Sequence, residues 1–108
     1  MNENSNSDFE FMKKTLPYWV KPNNVELISV EGLKYGVKIQ CFLPITLLKR
    51  LKETLYFNIN DQKAYLGDTL NADNNVVNAT FVLTELLPFE KANYFNNNTK
   101  IRIERWKE

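Results

Sequence analysis

The chain of 108 residues holds no histidine, one cysteine and three glycines, and that inventory limits its chemistry before any element is placed. Without imidazole the commonest general base, proton shuttle and zinc ligand are all missing, so triads and dyads that need His are excluded. A zinc site would have to be built from carboxylates, an uncommon arrangement. Gly32, Gly36 and Gly67 complete neither a G-x-G-x-x-G nor a P-loop, so no phosphate-cradling loop is expected. Cys41 is alone, which rules out an intramolecular disulfide. It falls on the apolar parity of its segment, where a thiol is buried and inert. Asp61, Asp68 and Asp73 are the nearest approach to a carboxylate set, but their spacing specifies no acid/base pair. The same stretch lacks the D-x-[DN]-x-[DN]-G order and the distal Glu of a calcium loop. No catalytic residue, metal site or cofactor is assigned, and the chain is read as a non-enzyme.

Two sets of side chains remain, and both act by contact. Lys34, Lys38, Lys49, Arg50 and Lys52, with Lys100, Arg102 and Arg105, are a candidate basic surface. Positive charge is in excess only over residues 32–55 and 99–108, and if those elements are neighbours their charges merge. Tyr35, Phe42, Tyr56, Phe57 and Trp106 lie near them in sequence, and rings beside cations hold single-stranded nucleic acid without reading its sequence. A lysine on the wet face of a strand is also the default for any half-buried sheet. The second set is aromatic: fourteen Trp, Tyr and Phe rings exceed what one small core easily hides. Tyr18, Trp19, Phe89, Tyr94, Phe95 and Trp106 form the candidate interface, because exposed Trp and Tyr anchor protein contacts. The plainer alternative is that several of them only cover a sheet edge.

The stretch from Val25 to Leu55 must position much of this. Leu33, Tyr35, Val37, Ile39, Cys41 and Leu43 alternate with Lys34, Gly36, Lys38 and Gln40, the period of a strand wet on one face. After Pro44 the period lengthens. Ile45, Leu48, Leu51 and Leu55 recur at three- and four-residue steps, which predicts an amphipathic helix over about 44–56 with Lys49, Arg50 and Glu53 on its wet side. Leu48, Leu51 and Leu55 are expected against Val37 and Ile39. The preceding strand is Val25 to Val30, and its hairpin turns either at Glu31-Gly32 or over Lys34 to Gly36.

Upstream, residues 1–7 read as a disordered polar tail. Ser7 or Asp8 caps a short helix over Phe9 to Leu16, which Pro17 stops. Tyr18 to Pro22 is an extended connector that packs Trp19 on the core. Downstream, a strand over Tyr56 to Asn60 turns at Asp61-Gln62 and returns over Lys63 to Leu66. Gly67 to Asn75 is loop by composition. Val76 to Leu87 is the longest strand of the second half, ended by Pro88. Phe89 to Phe95 is a helical turn or irregular, Asn96 to Asn98 a turn, and Thr99 to Trp106 the last strand. The sum is an α+β fold: a single domain over 8–108, with a mainly antiparallel sheet of about five or six strands. The helix over about 44–56 and the short amino-terminal helix pack on one face.

The order of short helix, Trp19-Val20-Lys21-Pro22, two strands and Leu43-Pro44 opening a helix resembles the amino-terminal domain of bacterial replication initiators, a module similar to KH domains. The resemblance spans about residues 8–57 and carries over no functional residue, and the last fifty residues have no counterpart in it. It implies use in protein contacts. The amino terminus MNENSNSDFEF has neither a basic n-region nor an apolar h-region, and no apolar run approaches a membrane span, so a cytoplasmic protein with no membrane role is expected. The reading is a small protein-interaction module, such as an adaptor, inhibitor or accessory subunit. Its partner is another protein or a second copy through a sheet edge. A single-stranded nucleic-acid binder is the second reading and a carboxylate-only enzyme the third.

Overall fold

The computed structural model describes residues 16–107; the expected tail over 1–7 and all but the last residue of the helix expected over Phe9 to Leu16 lie outside the described residues. Among the described residues eight antiparallel strands, where about five or six were expected, form one sheet: β1 (Tyr18–Val20), β2 (Asn24–Val30), β3 (Lys34–Pro44), β4 (Phe57–Ile59), β5 (Gln62–Asp73), β6 (Val76–Leu83), β7 (Leu87–Pro88) and β8 (Ile101–Arg105); the expected connector pairs with β8 as β1, and β7 stands apart from β6. Helix α1 (Ile45–Leu51) follows β3, and the single turn α2 (Phe89–Ala92) follows β7. The order across the sheet is β1-β8-β4-β5-β6-β3-β2, with β7 pairing the start of β3. No helix among the described residues is long and apolar enough to cross a membrane.

The sheet cannot be flat. Its end strands β1 and β2 lie six strand spacings apart, which at ~4.8 Å each would set them about 29 Å from one another in a plane. Yet only Lys21, Pro22 and Asn23 join Val20 to Asn24, a reach of at most about 14 Å. The wall must therefore curl until its two ends meet at that link. All six pairings on the way round are antiparallel, so β1 and β2 run in the same direction. They are two halves of one bent strand, the first laid on β8 and the second on β3. Pro22 is buried at the bend, and the Asn23 amide donates to the Gln40 carbonyl at 2.8 Å. Asn23 Nδ2 also donates to Asn78 Oδ1 at 2.9 Å, fixing the link to the wall.

Alternate side chains of this wall face inward. Val37, Ile39, Cys41 and Leu43 of β3 meet Val77, Ala79, Phe81 and Leu83 of β6, with Phe57, Ile59, Ala64, Ile101 and Ile103 from the remaining strands. Phe57 and Phe81 pack edge to face with centroids 5.5 Å apart, the arrangement ring quadrupoles favour. The alternation read from Leu33 holds from Tyr35 to Leu43, but Leu33 itself falls in the turn before β3 and is exposed, because the hairpin turns over Glu31 to Leu33; Leu47, Leu48 and Leu51 of α1 bury onto the same core while Lys49 and Arg50 stay wet.

Four more expectations fail, each for a physical reason. The helix stops at Leu51, leaving Leu55 75% exposed. β4 is paired on both edges and holds Phe57 in the core, so the chain has to leave the helix before it. Gly67 to Asn75 is mostly strand. β6 supplies a ladder to Thr69, Leu70 and Asn71 whatever their side chains, and two irregularities absorb the residues that do not fit. The strand expected over Val76 to Leu87 breaks after Leu83, leaving β7 as a separate short strand on β3. Trp19 is outside, 55% exposed, because β1 pairs with β8 and the pleat turns Tyr18 and Val20 inward instead. The β2–β3 hairpin turns at Glu31 to Leu33, with Val30 opposite Lys34.

Truncation should separate the two leucines that periodicity had placed together. Leu51→Ala is expected to lower unfolding stability by about 2–5 kcal/mol, and Leu55→Ala to change it by no more than about 0.5 kcal/mol, both read from urea denaturation midpoints.

Candidate functional site

Side chains of opposite parity point out from the wall, and its registers set three rings in a row. The Trp106 amide donates to the Tyr56 carbonyl at 3.0 Å, which ties the end of β8 to the start of β4. The β4–β5 register, Phe57 opposite Ala64, extended by one position sets Tyr56 beside Tyr65, which lies opposite Val82 of β6. Trp106, Tyr56 and Tyr65 are thus neighbours on three adjacent strands. Lys63, two residues before Tyr65 and on the same side of β5, places Nζ 4.2 Å from the Tyr56 ring centroid and 5.6 Å from that of Trp106. Such a contact contributes about 0.5–1 kcal/mol at an exposed site and holds the rings in register.

Beside the row lies an open groove of about 460 Å³ between the end of α1 and the bulge of β5, lined by Lys52, Leu55, Tyr56, Tyr65 and Gly67 among others. Leu55, left in solvent by the early end of α1, and Tyr65, 43% exposed, form its apolar rim. A Cβ at Gly67 would sit in ordinary van der Waals contact, 3.4 Å from the Thr80 carbonyl oxygen. Trp19 is on the same outer surface, opposite Arg102.

Of the six expected interface rings, Trp19, Phe89 and Tyr94 are exposed and Tyr18 and Trp106 are half-buried. Phe95 is buried in the core and presents nothing to a partner. Phe89 stacks edge to face on Tyr35, with centroids 5.6 Å apart, where β7 joins β3. It therefore does not belong to the row of Trp106, Tyr56 and Tyr65. Tyr65 went unnoticed in the sequence, although the alternation of Lys63 and Tyr65 with Ala64 and Leu66 was available to mark it as outward-facing.

The basic residues sit on three elements. Lys34 and Lys38 lie on β3, Lys100, Arg102 and Arg105 on or next to β8, which the curl of the wall leaves separated from β3 by the bent strand β1–β2, and Lys49, Arg50 and Lys52 on or next to α1. Arg102 is engaged locally: Nη2 is 3.3 Å from Asp61 Oδ1, and Nε is 3.2 Å from Glu104 Oε2 as an ion pair without hydrogen-bond alignment. Asn60 Oδ1 accepts from the Arg102 amide at 2.8 Å, and Asn58 Oδ1 accepts from the Asp61 amide at 2.7 Å, so the turn between β4 and β5 is built on asparagine. Asn60 and Asp61 there adopt positive φ, which these two residue types tolerate.

Asp61, Asp68 and Asp73 sit at the start, the bulge and the far end of β5, well apart. Among the described residues no group of three His, Cys, Asp or Glu side chains is placed to hold a metal. Cys41 is buried between β2 and β6 on the inward face, and burial pushes its thiol up to about 12. Burial and then the neighbouring Cys41 raise the Tyr18 phenol too. No family model matches the chain, and neither does any curated protein or solved structure. The resemblance drawn from residues 8–57 thus rests on element order alone.

The Cys41 thiol gives a test with a defined sign. In the unfolded chain it ionises from about pH 8.5 upward, while in the fold it keeps its proton until about pH 12. The unfolded state then holds fewer protons within that window, so stability falls as pH rises through it, by at most ~1.4 kcal/mol per pH unit. Denaturant melts at stepped alkaline pH should show this slope, and Cys41→Ala should flatten it; an unchanged slope contradicts a sequestered thiol.

Proposed function

We propose that this chain is a small non-catalytic protein-interaction module, an adaptor, inhibitor or accessory subunit. Its contact surface is the outward row Trp106, Tyr56 and Tyr65 with the adjoining Leu55 groove. The observation that carries the reading is the row itself. Three aromatic residues fall side by side on the solvent side of a wall whose inner side already has a complete apolar core. Tyr and Trp combine large contact area with few rotatable bonds, and a partly desolvated cluster with a polar rim is where binding energy concentrates. Lys52 at the groove and Lys63 on Tyr56 supply cationic edges to that rim, which suits a partner segment carrying an apolar or aromatic side chain next to a carboxylate. The cytoplasm is the compartment proposed.

A second reading has its own observation. An ammonium held on a ring face beside two further rings is also the combination that grips single-stranded nucleic acid, by stacking and phosphate contact together. Against it stands the engagement of Arg102 with Asp61 and Glu104. Anisotropy of a labelled oligonucleotide at low and then higher salt decides it. No binding, or binding indifferent to salt, removes the nucleic-acid reading.

For the leading reading, affinity capture with quantitative mass spectrometry should recover a specific protein with the wild type. The double substitution Tyr65→Ala and Leu55→Asp should lose it at least about tenfold, a loss of ~1.4 kcal/mol or more, with near-ultraviolet circular dichroism unchanged. Equal capture by both proteins contradicts the proposal.

A further inference from the structure

The two ends of the wall are protected very differently. β1 is three residues long and flanked by Pro17 and Pro22, which is how sheets discourage unwanted pairing. β2 has no such device. Its seven residues, Asn24 to Val30, contain no proline, glycine or lysine and keep an unbroken register with β3. Among the described residues no strand pairs with its other edge.

Apolar surface gathers at the same place. Ile28 and Val30 point outward from β2, about two-fifths exposed. Leu86 leans towards Gly36, the cross-strand partner of Ile28: both leucine and isoleucine carbons come within 4.0 Å of where a Gly36 Cβ would stand. Leu33, at the tip of the hairpin, is 84% exposed at a φ of 65°. A leucine in left-handed backbone is strained and in solvent gains nothing from burial, so neither folding nor solubility accounts for it.

We propose that β2 is a self-association seam, pairing antiparallel with β2 of a second copy about a two-fold axis at Leu27. That register uses the whole strand, with Asn24 opposite the partner copy's Val30. On the inward face it continues the row Val37–Leu27 into the same pair of the second molecule. On the outward face it sets Ile28 beside the other copy's Glu26. Charge does not oppose the seam, because Glu26, the one charged residue of β2, has Lys38 as its cross-strand neighbour in its own sheet. A second copy is the occupant that the strand fits by construction, and pairing two identical edges consumes both, so assembly closes at a dimer. An apolar, unguarded edge otherwise invites open-ended aggregation. β2 continues from the end of β1 that pairs with Ile101, whereas Trp106 lies beyond the other end of β8, so dimerisation leaves the row of Trp106, Tyr56 and Tyr65 free on both copies, and a partner displaying two matching segments would be held at two points. This inference does not rest on the proposed protein partner.

Sedimentation equilibrium of the full chain, alone and over a range of concentrations, tests it. The wild type is expected to approach twice the chain mass as concentration rises. Ile28→Lys and Val30→Lys, each placing an ammonium on a half-exposed edge position, are expected to weaken association at least about tenfold, with the urea midpoint essentially unchanged at concentrations low enough for the wild type to be monomeric. Tyr65→Ala is expected to dimerise as the wild type does. A wild type that stays at the mass of one chain throughout overturns the proposal, and so does a dimer that persists in both folded lysine variants.

Discussion

Three residues, Lys21 to Asn23, impose the shape of this molecule. They connect strands that stand at opposite ends of a seven-strand path, and a chain that short leaves the sheet no option but to curl. Once it curls, every strand acquires an inside and an outside, and the period of two in the sequence is converted into a closed apolar interior and a polar, aromatic exterior. The buried Pro22 and the asparagine contacts of Asn23 fit this role. The bend needs fixed backbone and satisfied polar groups more than it needs side-chain volume.

The interior that results is complete, and the Cys41 thiol within it is held protonated. What the fold offers to other molecules therefore lies outside. Its outward surface has two distinct regions. One is the row of rings braced by Lys63, next to a groove between the early end of α1 and the bulge of β5. The other is the apolar edge of β2 with its strained Leu33. Both are places where local preference and solvent exposure disagree, and such disagreement is where contact surfaces are found when the core accounts for everything else.

The sequence was most legible where period and burial coincide. From Tyr35 to Leu43 alternation gave the strand and its faces, and the switch after Pro44 gave α1 with Leu48 and Leu51 inward. It misled where long-range pairing decides. Gly67 to Asn75 has loop composition, yet β6 supplies a ladder, and nothing local to those residues announces that neighbour. Leu55 continued the helical spacing, but β4 needs Phe57 in the core, a demand arising from two strands distant in sequence. Trp19 was placed inward on hydrophobicity, while the pairing with β8 fixed its parity outward. The row of three rings was illegible for the same reason. Tyr56, Tyr65 and Trp106 become neighbours only when three registers are known together.

The bent strand from Tyr18 to Val30 is the claim on which the inside, the outside and both contact surfaces depend. Backbone nuclear Overhauser contacts in the isotope-labelled full chain test it most directly. The fold predicts cross-strand contacts of Tyr18 with Ile103 and of Asn24 with Gln40 within one and the same chain. A chain in which Asn24 to Val30 contacts β3 while Tyr18 to Val20 shows no contact with β8 would contradict the curled wall.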